Sequence, residues 1–569
     1  MSFQPVTRKR WQIDPRIPIE IDEALSGYPA VLRQLLFNRG VQTWGDAETY
    51  LSAAQPIHDP LQMLGMEAAV ERLFQAIDQG EKIAVYGDYD VDGVTATAVM
   101  VQVLRRLGGN VKGYIPNRFD EGYGLNNEAL AVLAQEQIRL VLTVDCGIRS
   151  PREVEFARTL GVDIIISDHH EPHEELPCAV SVICPKQAGC GYPEKNLAGV
   201  GLAYKITQAL ALARPEAELQ PEDWLDLVAV GTVADVVPLK GENRALVRAG
   251  LQRLRSGNRQ GLWSLAGAAE FDLAQTSARD IGFILGPRLN AAGRLESALQ
   301  AYDLLMETDV QLTGELALKL DDQNRQRQEW TRQMQEEAEL LTAETRMDHL
   351  MFAVDPSFNM GVVGLVASRL TETYYRPSIV GAVGEECTRA SCRSIPEFHI
   401  THALDECTDL LVRHGGHALA AGFTVKNANL VELIDRLRQI AERELGNKDL
   451  RPVLRADMEI ALDDLRPEVL KYIDALEPTG LGNPQVLFVA RNVRVVSAKT
   501  VGGENQHLKL TVASDRNVTF DGIGFRLGYW ASQLPTRMDI LFAFEKNVFR
   551  GRESLQLNLR DLKPANQPD

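Results

Sequence analysis

The sequence predicts an α/β protein with a doubly wound parallel sheet, a long connector helix, a second α/β domain and a C-terminal β-barrel. Three observations predict this fold class. Between residues 82 and 167, short β-branched apolar runs alternate with helical stretches, as in a parallel sheet covered by helices. Segment 309–346 is densely charged and contains no proline, which indicates one long exposed helix. Residues 451–569 contain closely spaced strand-like runs without helices between them, which favours a small antiparallel barrel or sandwich.

The elements follow in order along the chain. Residues 19–78 have helical periodicity. The runs KIAVYGD, VKGYI, IRLVLTVD and VDIIISD are then predicted strands, and WLDLVAVGTVADVVPL is a further apolar run. After the long helix, HLMFAVDP, GVVGLVASRL and RPSIVGAV restart an α/β pattern that continues to about Leu445.

The composition favours a folded protein of the cytoplasm. The chain has 569 residues, 45% of them hydrophobic, and a formal net charge of -18. We find no uncharged apolar run near the ~18 residues of a membrane span, and the N-terminus has no apolar stretch typical of a signal peptide. The charge is uneven, because residues 491–569 contain 12 Lys and Arg against 8 Asp and Glu, a net of +4. This basic tail is compatible with a polyanionic substrate bound at one place.

Polar side chains gather where the predicted strands end, and Asp235, after the later apolar run, is expected to lie at a strand end as well. The carboxyl ends of parallel strands meet at one edge of a sheet, where ligands bind. The residues concerned are Asp88, Asp90, Asp92, Asp145, Asp168, His169, His170 and Asp235.

The segment GDYDVDG could be a polar strand edge, an EF-hand loop or a metal cradle. An EF-hand needs Glu at loop position 12, and that position, counted from Asp88, is Val99. The segment SDHH follows an apolar run, and packing alone seldom explains why a buried strand ends in Asp-His-His, because each polar group would need a partner. Up to five of these carboxylates, with one or two imidazoles, could serve as ligands, which is enough for two divalent ions that share a carboxylate. Such ligands suit Mn²⁺, or Mg²⁺, better than a thiolate zinc site.

A two-metal site of this kind supports hydrolysis of a phosphate ester or anhydride. No G-x4-G-K-[ST] loop occurs, which argues against an ATPase. The segment GVGLAY contains only half of a dinucleotide-binding fingerprint, so we do not interpret it as one.

The motifs in this order resemble a known family. VYGDYDVDGVTATAVM, NRFDEGYGLN, TVDCGI, SDHHEP, LAGVGLAYK, VAVGTVADVVPL and GPRLNAAGRL are similar to the motifs of the DHH phosphoesterase superfamily, and most similar to its RecJ branch. GVVGLVASRL, ASCRSI and HGGHALAAGF resemble the DHHA1 substrate-binding domain, and LEPTGLGNPQVLF with HLKL resembles the OB-like domain of the RecJ branch. The resemblance covers nearly the whole chain from about residue 60.

The resemblance implies a division into domains. The expected domains are an N-terminal helical extension (1–60), a DHH phosphoesterase domain (61–308), a connector helix (309–346), a DHHA1 domain (347–450) and an OB-like nucleic-acid-binding domain (451–569).

The resemblance also implies roles for the clustered residues. It assigns two divalent ions, Mn²⁺ preferred or Mg²⁺, to the ligands Asp90, Asp92, Asp145, His169 and Asp235, with Asp88 as a sixth participant. Asp92 and Asp145 are the candidates for bridging ligands. His170 is expected to face the scissile phosphate, and Asp168 is expected to orient the neighbouring imidazoles.

Further residues are candidates for substrate binding. Glycines let backbone N–H groups approach a phosphate, and arginine binds a phosphate in bidentate fashion. Tyr114 could stack on a base, although a core tyrosine at a strand end fits equally well. The candidates are Arg118, Tyr114, Arg288, Arg294, Ser391, Arg393, Gly415, Gly416 and His417.

The function that the resemblance implies is 5′-to-3′ hydrolysis of single-stranded DNA to mononucleotides, in DNA repair and recombination. The implied partners are single-stranded DNA, a single-strand-binding protein and a helicase, with the enzyme acting as a monomer and no membrane involved. Two alternatives are a different enzyme of the superfamily, acting on short oligoribonucleotides, cyclic dinucleotides or pyrophosphate, and a replication scaffold without catalysis. The extra C-terminal barrel argues against the first, and the complete ligand set argues against the second. The sequence departs from the family at CPKQ, residues 184–187, where Cys stands in place of the usual Asn or Asp.

Overall fold

The computed structural model describes residues 8–52, 57–117, 121–122, 124–345, 349–549 and 552–565. The chain divides into two units. We call them the N-terminal unit, which consists of Ile17–Asn324 and Pro467–Val486, and the C-terminal unit, which consists of Met1–Arg16, Arg325–Arg466 and Leu487–Asp569. In the part of the chain described, no helix is both long enough and apolar enough to cross a membrane.

Helices open the N-terminal unit, as the periodicity of residues 19–78 predicts. The sequence did not predict the strand before them, which belongs to the C-terminal unit. In chain order these elements are β1 (Arg10–Ile13), α1 (Ile19–Ala24), α2 (Ala30–Asn38), α3 (Trp44–Ser52) and α4 (Met66–Asp78).

A parallel sheet with alternating helices follows, and the four predicted strands are confirmed within it. The elements are β2 (Lys82–Tyr86), α5 (Val91–Arg106), β3 (Asn110–Tyr114), α6 (Asn127–Gln135), β4 (Ile138–Thr143), α7 (Pro151–Thr159), β5 (Asp163–Ser167), β6 (Ser181–Ile183) and α8 (Gly199–Ala213). The strand order is β3-β2-β4-β5-β6, and every neighbouring pair is parallel. The order reverses between β2 and β4, and in such sheets the ligand crevice lies at this switch point.

Both faces of this sheet are covered, which explains the continuous apolar runs of its strands. Ile83 and Val85 pack in one core with helices α4, α5 and α8, while Ala84 and Tyr86 pack in a second core with α6 and α7.

The rest of the N-terminal unit up to the long helix is helical. The helices are α9 (Leu225–Ala234), α10 (Gly241–Arg255), α11 (Gln260–Ala268), α12 (Ala278–Asp280), a π-helix (Ile281–Leu285), α13 (Gly286–Leu295) and α14 (Leu299–Met306). The next helix, α15 (Val310–Thr345), confirms the long helix predicted for 309–346.

The expectation that Asp235 ends a strand was wrong, because the apolar run before it is helix α9. Leu225 to Thr232 are all buried, and α9 packs against α5, α8 and α10. A helix that is buried on every side has no polar stripe, so its sequence cannot be distinguished from that of a buried strand by periodicity.

The C-terminal unit contains a five-stranded sheet of order β10-β11-β9-β8-β7. Its strands and helices are β7 (Met351–Asp355), α16 (Val363–Tyr374), β8 (Ser378–Val383), β9 (Cys387–Arg393), α17 (Ile400–Asp405), β10 (Leu411–His417), β11 (Ala420–Lys426) and α18 (Leu430–Leu445). Only β7 and β8 pair in parallel among these strands. The second α/β domain expected from the sequence is therefore confirmed.

A closed barrel follows, as predicted. Its elements and those before it are β12 (Val453–Ala456), β13 (Met458–Glu459), α19 (Pro467–Ala475, in the N-terminal unit), β14 (Phe488–Val501), β15 (His507–Ala513), β16 (Thr519–Gly524), β17 (Arg537–Phe549) and β18 (Arg552–Pro564). The strands run in the order β14-β15-β16-β18-β17, and β17 pairs back onto β14. The barrel is not wholly antiparallel as expected, because β16 and β18 pair in parallel.

Short 3-10 helices connect several of these elements. They lie at Pro60–Gln62, Pro215–Ala217, Pro221–Trp224, Leu273–Gln275, Asn427–Asn429, Leu462–Asp464, Gly503–Asn505 and Gly528–Ser532.

Trp11 fixes the N-terminal strand to the barrel. Strand β1 pairs in parallel with β12, and the Trp11 indole is 6% exposed. Its Nε1 donates a 2.7 Å hydrogen bond to Asp561 Oδ2, and the Lys563 ammonium lies 4.5 Å from the ring centroid. One aromatic side chain thus combines apolar burial, a hydrogen bond and a cation–π contact.

We expect Trp11→Ala to destabilise the C-terminal unit by about 3–5 kcal/mol, because a buried indole is replaced by a cavity and Asp561 loses its donor. Thermal and urea unfolding of the full chain would measure the loss. The matched control is Trp263→Ala, whose indole is 56% exposed, and whose loss should cost less than about 1 kcal/mol. Equal effects of the two substitutions would contradict the anchoring role.

Candidate metal centre

The loop after β2 delivers three carboxylates. Asp90 is the N-cap of α5, and its side chain accepts a 3.1 Å hydrogen bond from the Gly93 N–H. Asp88 and Asp92 are buried on either side of it. A Cβ at residue 93 would lie 2.6 Å from the Asp88 nitrogen, so the turn requires glycine there. The helix N-terminus favours carboxylates, which explains locally why the chain holds these aspartates here.

Asp145 follows β4 in a left-handed backbone conformation, with φ of 63°. Aspartate tolerates this region better than most residues do. The Asp145 N–H donates a 3.0 Å hydrogen bond to the Ser167 carbonyl, which ties the ends of β4 and β5 together. Its carboxylate therefore lies at the switch point, beside the loop that follows β2.

The two imidazoles of the Asp-His-His segment after β5 contact different partners. The Asp168 Oδ1 is 2.7 Å from His170 Nδ1, and Asp168 Oδ2 accepts a hydrogen bond from the Ile148 N–H. His169 instead faces other carboxylates. Its Nε2 is 3.0 Å from Asp145 Oδ1, 3.6 Å from Asp235 Oδ2 and 3.9 Å from Asp92 Oδ2.

Asp235 reaches the same place from the C-cap of α9. The expected residues on both sides of the switch point are thus brought together although they come from four separate segments. Their ligand atoms form groups within 4.8 Å of one another, among them Asp92 with His169 and Asp235, and Asp88 with Asp90 and Asp145. These two groups share no residue, so each could hold one ion with three ligand atoms.

The donor atoms fit a cation. Asp145 Oδ1, His169 Nε2 and Asp235 Oδ2 are buried and accept or donate no hydrogen bond among the residues described. Buried polar atoms without partners are costly, and they commonly mark a site for an ion or an ordered water. Carboxylates with one imidazole are ligands suited to Mn²⁺ or Mg²⁺.

Electrostatics supports the same conclusion. Burial, reinforced by the charge of Asp90, raises the pKa of Asp92 to about 7. Burial and the charges of Asp92 and Asp90 raise the pKa of Asp235 to about 9, and the pKa of Asp145 is also raised well above its ordinary value by burial and by Asp92. The ionised carboxylates therefore repel one another, and a bound cation would relieve that repulsion.

The two histidines differ in protonation. Burial and the neighbouring His170 lower the pKa of His169 to about 3, so its ring is neutral, as a metal ligand must be. Burial acts to lower the pKa of His170, but the Asp168 hydrogen bond outweighs it and raises that pKa. Burial likewise acts to raise the pKa of Asp168, and the bond to His170 brings it below its ordinary value.

The contact between helix α8 and Asp92 was not predicted from the sequence. The N–H groups of Gly199 and Val200, at the start of α8, donate hydrogen bonds of 2.6 and 2.8 Å to the Asp92 carboxylate. A Cβ at residue 199 would lie 2.6 Å from the Asp145 Cβ. The glycines of GVGLAY therefore allow a helix N-terminus to approach the carboxylates, and the signal available in the sequence was the pair Gly199 and Gly201.

The other candidates of the N-terminal unit have varied surroundings. Tyr114 donates a 2.6 Å hydrogen bond to Glu121, and its ring stacks on Tyr86. Arg288 pairs with Asp321 of α15 at 2.8 Å. Arg294 lies in the last turn of α13, beside Gly293, where a Cβ would be 2.8 Å from the Tyr89 carbonyl. Its segment therefore adjoins the Asp88–Asp92 loop. Arg118 lies outside the described residues.

In the C-terminal unit, the candidates share one sheet. Arg393 of β9, Ala420 of β11 and His417 of β10 form one row across three strands, and Ser391, Gly422 and Gly415 form the next row on that face. Gly416 lies between these rows on β10, opposite Ala421. Only Ala420 separates Arg393 from His417, and only Gly422 separates Ser391 from Gly415. This part of the sheet, which we call the flat face, therefore has no large side chain between β9 and β10. A Cβ at Gly364 of α16 would lie 3.3 Å from the Arg393 guanidinium, so the helix begins beside the same residues.

Comparison with known protein families assigns three regions of the chain. Residues 82–232 match the DHH family N-terminal domain, residues 348–447 match the DHHA1 domain, and residues 456–561 match the RecJ OB domain. These matches include most of the segments that resembled each domain in the sequence, whereas VAVGTVADVVPL extends beyond residue 232 and GPRLNAAGRL lies wholly after it.

Relatives that match over nearly the whole chain, and a solved structure, support the same family. The single-stranded-DNA-specific exonuclease RecJ of Bacillus subtilis is 38% identical over 564 residues, which cover 98% of this chain and 71% of that protein. The Escherichia coli protein of the same name is 34% identical, with 96% and 98% covered. The crystal structure of Thermus thermophilus RecJ in complex with Mn²⁺ matches with a TM-score of 0.84 and 30% identity, covering 98% of this chain and 80% of that one. A second crystal structure of that protein contains Mg²⁺. Because the three domain matches, the fold and nearly the whole length of the sequence agree, this chain belongs to the RecJ family.

Proposed function

We propose that this protein is a single-strand-specific DNA exonuclease that hydrolyses phosphodiester bonds with two divalent metal ions. The observation that carries the proposal is the pair of three-ligand groups at the switch point, in which Asp145 Oδ1, His169 Nε2 and Asp235 Oδ2 are buried without a hydrogen-bond partner among the described residues. The names of the relatives support single-stranded DNA as the substrate. The RecJ structures with Mn²⁺ and Mg²⁺ support the choice of ions.

The proposed ligands of one ion are Asp88, Asp90 and Asp145, and those of the other are Asp92, His169 and Asp235. Bound ions would lower the pKa of a coordinated water and stabilise the negative charge that develops on the phosphate. The amides of Gly199 and Val200 fix Asp92, so that its orientation does not depend on the ion. Asp145 Oδ1 lies 3.0 Å from His169 Nε2 and so connects the two ligand groups, which favours it as a bridging ligand.

His170 has a different proposed role, because its Nδ1 is held by Asp168. That bond orients the ring and stabilises its protonated form, so Nε2 carries the proton directed to substrate. A protonated imidazole beside the ions would bind a non-bridging phosphate oxygen or give a proton to the leaving oxygen. Asp168 is thus a positioning residue for His170.

The flat face of the DHHA1 region suits a strand phosphate. Arg393 supplies a guanidinium and Ser391 a hydroxyl, and Gly415 exposes its backbone on the edge strand β10. His417 ends the same row as Arg393. We propose that these residues hold a phosphate of the single strand, with Gly416 allowing the close approach of the backbone, and that Arg288, Arg294, Arg118 and Tyr114 contact the substrate in the N-terminal unit.

The outer face of the barrel suits the upstream strand. Lys499 of β14 and Lys509 of β15 lie directly opposite each other in the register, where like charges repel. His507 contacts Phe525 edge-on at 5.3 Å between ring centroids, and Phe525 is 54% exposed. A polyanion with stackable bases would satisfy both features.

The remaining expectations rest on the family resemblance and stay predictions. They are the 5′-to-3′ polarity, the release of mononucleotides, the role in repair and recombination, the partners (a single-strand-binding protein and a helicase), the monomeric state and the cytoplasmic location. The domain boundaries 1–60, 61–308, 309–346, 347–450 and 451–569 are likewise proposed. The match of residues 456–561 to the RecJ OB domain favours a nuclease of long single strands over an enzyme for short oligoribonucleotides or cyclic dinucleotides.

Asp145→Asn should abolish hydrolysis while making the metal-free protein more stable. The substitution removes a buried, repelled carboxylate but keeps its shape, so thermal unfolding with chelator at about pH 8 should shift upward. The nuclease rate with Mn²⁺ should fall about a hundredfold or more. The control Asp163→Asn changes a carboxylate that is about half exposed and pairs with Arg72, and it should leave the nuclease rate unchanged. Retained activity in Asp145→Asn would refute the ligand assignment.

The stability of the metal-free protein should fall as the pH rises, and divalent ions should reverse the fall. The pKa values of Asp92 and Asp235 are raised to about 7 and about 9 in the folded chain. Between about pH 4 and about pH 9 the folded state therefore binds more protons than the unfolded state, so stability is lost across that range. Melting temperatures at about pH 6 and about pH 8, with chelator and with Mn²⁺, test this. The increment due to Mn²⁺ should be larger at the higher pH, and an increment independent of pH would count against the cluster.

Replacing both Lys499 and Lys509 by alanine should weaken binding to long single strands without destabilising the barrel. Two phosphate contacts would be lost, so the log–log salt slope should decrease by about 1.4. Fluorescence anisotropy with labelled single strands over a salt series would measure it. The control Lys546→Ala removes a barrel lysine that pairs with Glu553, and its slope should match the parent. An unchanged slope in the double variant would exclude this face from strand binding.

A further inference from the structure

A lysine with no assigned role lies beside the Asp-His-His segment. Lys186 is in the loop after β6, and its Nζ is 3.2 Å from Glu171 Oε1. Glu171 directly follows His170 in the chain. The Lys186 side chain is 22% exposed, while that of Glu171 is 64% exposed. The ammonium is therefore held near the cluster by a carboxylate that projects into solvent.

The backbone around Lys186 is firmly held. The Gln187 N–H donates to the Cys184 carbonyl, and the Gln187 side-chain amide donates to the Val182 carbonyl at 2.8 Å. The Asp168 N–H donates to the Ile183 carbonyl at 3.0 Å, which joins this loop to the start of the Asp-His-His segment. The position of Lys186 is thus set by the same strand ends that set the cluster.

Lys195, a second lysine in this part of the chain, has contacts typical of a purely structural role. The Lys195 ammonium donates to the carbonyls of Pro185 and Cys190 at 2.8 and 2.7 Å, so it braces the loop through backbone groups. The partner of Lys186 is instead the largely exposed side chain of Glu171. An ion pair with so exposed a partner contributes little to folding, typically below about 1 kcal/mol.

The chain itself places the Lys186 ammonium near the proposed ligands. Its partner Glu171 is one residue beyond His170 and two residues beyond His169. A cation held at this point of the loop is within the field of a phosphate bound at the cluster.

We propose that Lys186 binds a non-bridging oxygen of the substrate phosphodiester at the metal cluster, and that Glu171 holds the ammonium until the phosphate replaces it. The inference rests on the proposed nuclease function. An ammonium is a compact point charge on a flexible stem, so it can leave a carboxylate for a phosphate without moving the loop. The Glu171 side chain can then turn into solvent without moving the backbone, because its backbone carbonyl accepts a separate 2.7 Å hydrogen bond from Arg149.

Substitution of Lys186 should lower kcat/KM on single strands, whereas substitution of Glu171 should lower KM. Lys186→Ala should lower kcat/KM on single strands about ten- to a hundredfold, the effect of one lost charge-assisted contact, and reduce the salt slope of binding by about 0.7. Lys186→Arg should retain most of the activity because it keeps the charge. Glu171→Gln should lower KM about two- to tenfold, because the carboxylate that competes for the ammonium is gone.

Three controls separate this role from a structural one. Lys112→Ala removes another exposed pair of the same unit, Lys112 with Glu136, and should leave kinetics unchanged. Melting temperatures of all variants should stay close to the parent, and Mn²⁺ titrations should overlay it. If the parent itself does not degrade single strands with Mn²⁺, the proposed function fails. If the parent is active and Lys186→Ala behaves like Lys112→Ala, or if both Lys186→Ala and Glu171→Gln lose activity together, the inference about Lys186 is wrong.

Discussion

Repulsion among buried carboxylates at one edge of a parallel sheet is the constraint around which the N-terminal unit is built. Asp92, Asp145 and Asp235 are held together although burial and their mutual charges raise the pKa of each. Groups that repel stay in place only if a rigid framework positions them, and here each is fixed by a different element. The repulsion lowers the free energy of unfolding of the metal-free protein. Because bound ions remove the repulsion, the same free energy adds to their affinity.

The framework offsets part of that repulsion with backbone amides. The N-terminus of α5 receives Asp90, and the N-terminus of α8 receives Asp92. Both helices pack in the same core as the strands that end at the switch point. The glycines at these helix starts are therefore part of the electrostatics of the site, because a side chain at Gly199 would push the helix away from the carboxylates.

Much of this was predictable from sequence because the signals are local. The strand ends at Asp88, Asp145 and Asp168 follow clear apolar runs, and the length of α15 follows from its composition. Asp235 was selected correctly as a member of the cluster but was assigned to a strand, since a helix buried on every side has no readable period. The contact of α8 with Asp92 and the pairing of Lys186 with Glu171 depend on which segments meet in three dimensions. The strand β1 was missed because RWQI is too short to show a pattern and its partner, β12, is more than four hundred residues away.

The two units exchange pieces of sequence, and this affects how the chain emerges from the ribosome. The C-terminal unit contains β1, made first, whereas its partner strand and the barrel are made last. The N-terminal unit is completed by Pro467–Val486, and the buried Arg244 donates a 2.8 Å hydrogen bond to the Leu476 carbonyl of that segment. Neither unit can therefore finish folding until nearly all of the chain has been synthesised. A truncation at residue 451, the proposed domain boundary, would also remove Pro467–Val486 and with it a part of the N-terminal unit. A truncation just after Val486 would remove the barrel strands and keep that segment with the metal cluster.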